Sequence, residues 1–326
     1  MELTALPTEK EREALRPLLT AAGLRLPDGL DYMAAIQTED GFVACGGTRG
    51  GVIEGVAVDE RCRGEGLLGT LMTHLVGRLL GLGHDNIFLF TKPANRSVFE
   101  PFGFRAVAGT ADALLMERRR DGAAAYIASI PRVLPGGKDR IGAVVLNGNP
   151  FTNGHRHLLS HAAARCAAVY AFVVESERTW TPFAERMRLV KAGCAGLTNV
   201  LVVPGGPYVI SQATFPTYFL KEDSDAASIH ACLDAAVFAE RIAPALSISA
   251  RFVGEEPLDP MTRSYNRALG EILPARGIAV EEIPRLLHGG EPVSASRVRA
   301  LAERGAFDQI VPLVPQATLA YLRSRT

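Results

Sequence analysis

The chain has no excess of either charge: its 35 Lys and Arg are matched by 35 Asp and Glu among 326 residues. A balanced surface exerts no long-range pull on nucleic acid or anionic membrane, so any partner must be recognised by local features. No run of about 18 apolar residues occurs, the length a membrane-crossing helix needs. The opening MELTALPTEKERE lacks the basic and apolar regions of a secretory leader. These absences predict a cytoplasmic protein that binds neither nucleic acid nor membrane. Cysteine is sparse and unpaired: Cys45, Cys62, Cys166, Cys194 and Cys232 are odd in number and scattered, with no C-x-x-C. That pattern points away from a disulfide framework or a thiolate zinc site and toward five reduced packing residues. His157 and His161 stand four apart, but no Glu follows the first as the metalloprotease helix requires. No metal site is therefore expected in the protein, and no internal repeat is evident.

The length suits two domains, each able to bury its own core. The polar, Pro- and Gly-bearing stretch ERRRDGAAAYIASIPRVLPGGKDR, residues 117–140, separates segments of different rhythm. It predicts a first domain over 1–120, a linker over 121–140 and a second domain over 141–326. In the first, GFVACGGTRGGVIEGVAVD reads as two short strands about a glycine-rich turn. GLLGTLMTHLVGRLLGL has helical apolar spacing, and NIFLFT is a buried strand. In the second, IGAVVLN, VYAFVVE, NVLVVPGG, SARFVGEE and IAVEEIPRL alternate with helical patterns. Such alternation implies right-handed βαβ units and a parallel sheet, with ligands beyond the carboxyl ends of its strands. The expected fold is an α+β domain followed by a Rossmann-like α/β domain.

Residues 147–159, NGNPFTNGHRHLL, follow directly on IGAVVL. A strand, a tight turn and a helix start place orphan N–H groups and the positive end of a helix dipole together, which suits a phosphate. Thr152-Asn153-Gly154-His155 resembles the T/H-x-G-H signature of the nucleotidylyltransferase superfamily. Ser294-Ala295-Ser296-Arg297-Val298-Arg299 resembles its second signature, of the I-S-S-T-x-V-R type. An imidazole N–H in the first helical turn suits a charge developing on a phosphate, so His155 is the leading catalytic candidate, with Thr152 and Arg299 beside it. Gly154 admits close approach to the backbone, and Ser294 is a plausible helix cap. Ser296 and Arg297 are expected to face the outer phosphates, with mobile positive charge from Arg297 and Arg299. Asn147 and Asn149 either shape the turn or touch ligand, and Asn149 is carried as a nucleotide contact. In GEEPLDPMTRSYN, Glu255, Glu256, Thr262, Tyr265 and Asn266 either contact nucleotide or acyl substrate, or serve turn and packing. Arg186 is placed either near the phosphate edge or in a helix-surface ion pair with Glu185.

In the first domain, Arg61-Cys62-Arg63-Gly64-Glu65-Gly66 resembles the Q/R-x-x-G-x-G/A pyrophosphate loop of GNAT-type acetyltransferases. Successive glycine N–H groups before a helix form an anion nest, so Arg61, Arg63, Gly64 and Gly66 are expected to hold a pyrophosphate. The later NRSVFEPFGF resembles another segment of that fold, but Phe99 stands where many such enzymes carry a Tyr as general acid. A phenyl ring has no proton to give.

Taken together, NGNPFTNGHRHL, ISQATFPTYFLK, RFVGEEPLDPMTRSYNRAL and VSASRVRAL resemble the citrate lyase ligases over most of the chain. The resemblance implies an AMP-forming ligase that uses ATP, with Mg2+ accompanying the ATP, to convert acetate to acetyl-adenylate. The acetyl group then passes to the thiol of the citrate lyase acyl carrier protein, whose prosthetic group is derived from dephospho-CoA. Two other readings stay open on the residues alone. One is a nucleotidylyltransferase joined to an acetyl-CoA-dependent acetyltransferase, and the other a non-catalytic sensor of nucleotide and CoA.

Overall fold

Two sheets of opposite character account for both rhythms of the sequence. The computed structural model describes residues 2–6, 8–119, 121–133, 140–175, 179–209, 215–221, 225–256 and 260–325. The chain divides into two compact units, Met1–Ala125 with Phe215–Ile229, and Tyr126–Thr214 with His230–Thr326. The stretch expected to join them contains a helix, Gly122–Ser129. Residues 134–139 of that stretch lie outside the described residues.

In the first unit, seven strands form one sheet: β1 (Glu2–Ala5), β2 (Tyr32–Thr38), β3 (Gly41–Arg49), β4 (Val52–Val58), β5 (Phe88–Thr91), β6 (Arg105–Gly109) and β7 (Leu114–Glu117). Their order is β1-β2-β3-β4-β5-β7-β6. Alternate residues of a strand face opposite sides, and both sides of β2 are buried. Ala34 and Ile36 pack with Leu71, Met72 and Leu75 of the Leu67–Gly81 helix. Met33 and Ala35 pack with Leu15 and Leu19 on the other side. β4 and β5 are parallel and pair only through Val52 with Phe88 and Ile53 with Leu89. The expected hairpin, helix and strand are all present here.

In the second unit a two-stranded antiparallel ribbon, Leu287–His288 with Glu291–Pro292, accompanies the main sheet, whose five strands are β8 (Ile141–Leu146), β9 (Ala168–Val173), β10 (Val200–Pro204), β11 (Ala250–Gly254) and β12 (Ala279–Ile283). All are parallel, in the order β10-β9-β8-β11-β12. These are the five runs that the sequence predicts. The chain leaves β8 to one side for β9 and later returns to its other side as β11. The carboxyl ends of β8 and β11 therefore flank a topological switch point, where open α/β sheets bind ligand. One face of the sheet packs Val144, Leu146, Ala171 and Phe252 against Leu159 and Ala162 of the Asn153–Ala163 helix and Leu189 and Val190 of the Phe183–Gly193 helix.

Arg186 locks this end of the sheet. It is fully buried, so a helix-surface ion pair does not describe it. Glu185 pairs with Arg188 instead. Arg186 Nη1 donates to the carbonyls of Asn147 (2.8 Å) and Val174 (2.7 Å) and to Asn147 Oδ1, while Nε donates to the Thr181 carbonyl. The guanidinium thus ties together the backbone just beyond β8 and β9. Replacing Arg186 with Met should destabilise the protein by about 3 kcal/mol or more, since several buried acceptors lose their donor at roughly 1 kcal/mol or more each. The midpoint of chemical denaturation reads this directly, and an unshifted midpoint would show that water replaces the guanidinium at no cost.

Candidate active site

The helix Asn153–Ala163 starts on a reciprocal cap. Thr152 is extended, its Oγ1 accepts the His155 N–H, and the His155 ring reaches back to the Thr152 N–H. That N–H donates to His155 Nδ1 at 3.0 Å, and the Thr152 hydroxyl lies 2.9 Å from the same nitrogen. Because Nδ1 accepts, the neutral ring carries its proton on Nε2. The imidazole is half-buried and stacked on Phe151 at 5.6 Å. Burial first, and then the charge of Arg285, lower its pKa to about 4. His155 is accordingly a neutral Nε2–H donor at physiological pH. Thr152, 1% exposed, spends its hydroxyl on His155 and acts by positioning the ring.

The second signature meets the first through Gly154. A side-chain carbon there would lie 2.6 Å from the carbonyl oxygen of Val293, the residue before Ser294. Only glycine lets the helix start approach the second motif this closely. Ser294 is the N-cap of the helix Ala295–Glu303, its Oγ accepting the Arg297 N–H at 3.2 Å. Arg299 reaches back across the motifs, donating through Nη1 to the Asn149 carbonyl at 2.5 Å and through Nη2 to Ser296 Oγ at 3.1 Å. Asn149 also accepts the Thr181 N–H on its side-chain oxygen. Arg297 turns to the His288 carbonyl and the Glu291 carboxylate.

A cavity of about 270 Å³ lies at the switch point. Thr152, Gly154, His155 and Ser294 line it, whereas Asn149, Ser296, Arg297 and Arg299 do not. Of the last four, Asn149 and Arg299 tie the two segments together, while Ser296 and Arg297 bond within the second segment. Thr262, Tyr265 and Asn266 line the cavity as well, and Arg285 and Arg251 join them. Asn266 fixes its position by donating to the Gly254 carbonyl at 2.8 Å. Glu256 pairs with Arg285, which also donates to the Glu255 carbonyl. Residues 257–259 of this segment lie outside the described residues. Nothing in the local pattern around Arg251 announces a site: it sits inside a strand whose neighbours are apolar.

In the first unit, Gly64 (φ 92°) and Gly66 (φ 80°) adopt left-handed backbone before the Leu67–Gly81 helix, a conformation that selects glycine. With Arg63 they line a cavity of about 690 Å³ whose walls include Phe99, Tyr218 and Phe219. Arg61 stays outside it. Its side chain is 82% exposed and paired with Asp59, whose carboxyl Arg61 holds down at about 2 by side-chain and then backbone hydrogen bonds. Tyr218 comes from the ATFPTYF stretch, of which residues 213 and 214 lie outside the described residues. Its hydroxyl donates to the Phe90 carbonyl on β5 at 3.0 Å. Burial raises its phenol well above the usual range.

An acetyltransferase-type unit with a glycine-turn cradle, and a parallel α/β unit with both nucleotidylyltransferase motifs at its switch point, define a two-domain ligase. The citrate lyase ligase C-terminal domain model matches residues 141–322, and the GNAT acetyltransferase model matches residues 24–104. Over 322 residues the chain is 39% identical to the citrate (pro-3S)-lyase ligase of Klebsiella pneumoniae, covering 97% of this chain and 94% of that protein. It is 35% identical to the protein of the same name from Escherichia coli K12 (97% and 91% covered). With that of Haemophilus influenzae Rd it shares 33% identity over 331 residues (99% and 98% covered). The chain belongs to the citrate lyase ligase family. Among the described residues, no helix is long and apolar enough to cross a membrane, and all five cysteines are free thiols.

With a folded value near 4 against about 6.5 for an unperturbed ring, His155 stays neutral as pH falls while the unfolded chain takes up the proton. Its contribution to stability is complete above about pH 6.5 and is lost progressively toward pH 4. Ring-nitrogen NMR of the folded protein should show His155 as the Nε2–H tautomer throughout pH 5–8. A ring that titrates near 6.5 would contradict the cap geometry.

Proposed function

We propose that this protein is an AMP-forming ligase that activates acetate with ATP and passes the acetyl group to the prosthetic-group thiol of a citrate lyase acyl carrier protein in the cytoplasm. The observation that carries this reading is the meeting of the T-N-G-H and S-A-S-R segments at one cavity, through the Gly154–Val293 contact. In the first half-reaction an acetate oxygen attacks the α-phosphorus of ATP and pyrophosphate leaves. The acid is its own nucleophile, so the protein orients the reactants and offsets charge. His155 donates Nε2–H to a phosphate oxygen on which charge grows. The two helix starts, with Ser294 at the second, offer N–H groups to the remaining phosphates. In the second half-reaction the thiol sulfur attacks the acetyl carbon, AMP leaves and the thiol proton is released. Magnesium enters with the triphosphate; no cluster of three or more His, Cys, Asp or Glu suited to a metal ion occurs among the described residues.

The names of the relatives supply the partner, a citrate lyase. On this reading the first unit holds the carrier's arm. The space beside Gly64 and Gly66 is open, so a pyrophosphate there meets the turn and exchanges with Glu60 for the exposed Arg63, and the cavity beyond accommodates the pantetheine chain. Phe99 is tolerated because acetyl-CoA is not the donor and no general acid is required there.

The decisive assay is exchange of labelled pyrophosphate into ATP with acetate, propionate, citrate or no acid. Exchange should depend on acetate, and its absence with every acid would refute the reading. His155→Ala should slow exchange by roughly 100-fold or more; a folded variant with the normal rate would remove His155 from the chemistry. Arg63→Glu should leave exchange intact and abolish acetyl transfer to the carrier protein, with free dephospho-CoA competing in the wild type. Normal transfer by that variant, uninhibited by dephospho-CoA, would give the cradle another purpose.

A further inference from the structure

The wall of the second unit's cavity holds a buried cation that the protein satisfies only in part. Arg251 on β11 is 1% exposed and reaches the cavity. Its Nη2 donates to Asp234 Oδ2 at 3.1 Å and to the Tyr265 hydroxyl at 2.8 Å, and that hydroxyl donates to the same Asp234 oxygen at 2.5 Å. Nη2 is therefore fully engaged. Nε and Nη1 are buried and have no hydrogen-bond acceptor among the described residues. The ring of Phe238 faces the guanidinium at 4.7 Å, a soft contact that takes no N–H. Buried donors without acceptors are rare, because each gives up its hydrogen bond to water for nothing. Two on one permanently charged group, on a residue that lines a cavity, suit an acceptor supplied from outside the chain.

We propose that Arg251 binds the carboxylate of a short aliphatic monocarboxylic acid, the acid that this enzyme activates. The charge count selects a single carboxylate. Asp234 already offsets part of the guanidinium's charge, which favours a singly charged group over a phosphate of higher charge. The other arginine on the cavity wall, Arg285, is paired with Glu256, so among the described residues no second unpaired cation lines the cavity for a dicarboxylate. Val145 and Val253 supply apolar wall for a short chain, while the phosphates are served by the helix starts at His155 and Ser294. This assignment rests on the proposed adenylation for the fate of the acid; the binding of the acid stands apart from it.

Two measurements on the full chain separate the two ideas. The first is acetate-dependent pyrophosphate exchange, and the second is broadening of the NMR signal of carbon-13 acetate in the presence of ATP. Arg251→Gln alone removes one charge of the Arg251–Asp234 pair, so the test variant combines Arg251→Gln with Asp234→Asn, removing both charges together. Arg251→Lys, which keeps the charge and loses the planar donors, is run beside it. In the double variant the KM for acetate should rise roughly 30-fold or more while that for ATP changes less than about threefold, and acetate broadening should vanish. Arg251→Lys should fall between it and the wild type, and decides the matter if the double variant does not fold. Acetate KM and broadening unchanged in a folded variant would overturn the site, as would a wild type that broadens neither acetate nor propionate. Acetate bound through Arg251 but no acetate-dependent exchange would keep the site and refute adenylation.

Discussion

The second unit is organised around a backbone contact, the carbonyl of Val293 lying where a side chain on residue 154 would stand. Two segments 140 residues apart in the chain can furnish one site only if their helices start side by side, and any Cβ at residue 154 would push them apart. The residues around the contact reinforce it. Arg299 ties the second helix to the turn after β8, Arg186 ties that turn to β9, and the Thr152–His155 cap fixes the ring at the edge of the cavity. The parallel sheet below supplies the rigid platform, with its carboxyl ends splitting at β8 and β11.

Three arginines of this unit differ in how their buried donors are satisfied. Arg186 donates to carbonyl and amide oxygens and has no role left for a ligand. Arg299 is committed to the Asn149 carbonyl and Ser296. Arg251 is as deeply buried as Arg186 but keeps two donor nitrogens without acceptors at a cavity wall. A charged side chain is costly to bury unless it is paired; Asp234 supplies that pairing for Arg251, while Nε and Nη1 have no acceptor among the described residues. His155 meets the same constraint differently, remaining neutral and using a hydrogen-bond donor in place of a charge.

The first unit has its own division of labour. The acetyltransferase-type turn carries two left-handed glycines, Gly64 and Gly66, and Phe99 lines the cavity beside it. The phenol of Tyr218 is held to β5 by its hydrogen bond to the Phe90 carbonyl. Its raised pKa keeps it protonated as the donor of that bond.

The sequence by itself determined what depends on period and local chemistry. The five apolar runs became the five parallel strands, the glycine-rich turn before GLLGTLMTHLVGRLLGL became a helix start with left-handed glycines, and Thr152 and Ser294 became caps. Each of these follows from a few neighbouring residues, because caps, turns and alternation are local interactions. Tertiary structure decided which of the motif residues face the cavity. Arg299 shares a motif with Ser294, yet it turns to the carbonyl of Asn149, a contact that no spacing along the chain encodes. It also decided the reason for Gly154, the burial of Arg186, the vacant donors of Arg251 and the inclusion of Tyr218 in the first unit. All of these arise from contacts between residues far apart in sequence, where pairing and desolvation are set by what the fold brings near.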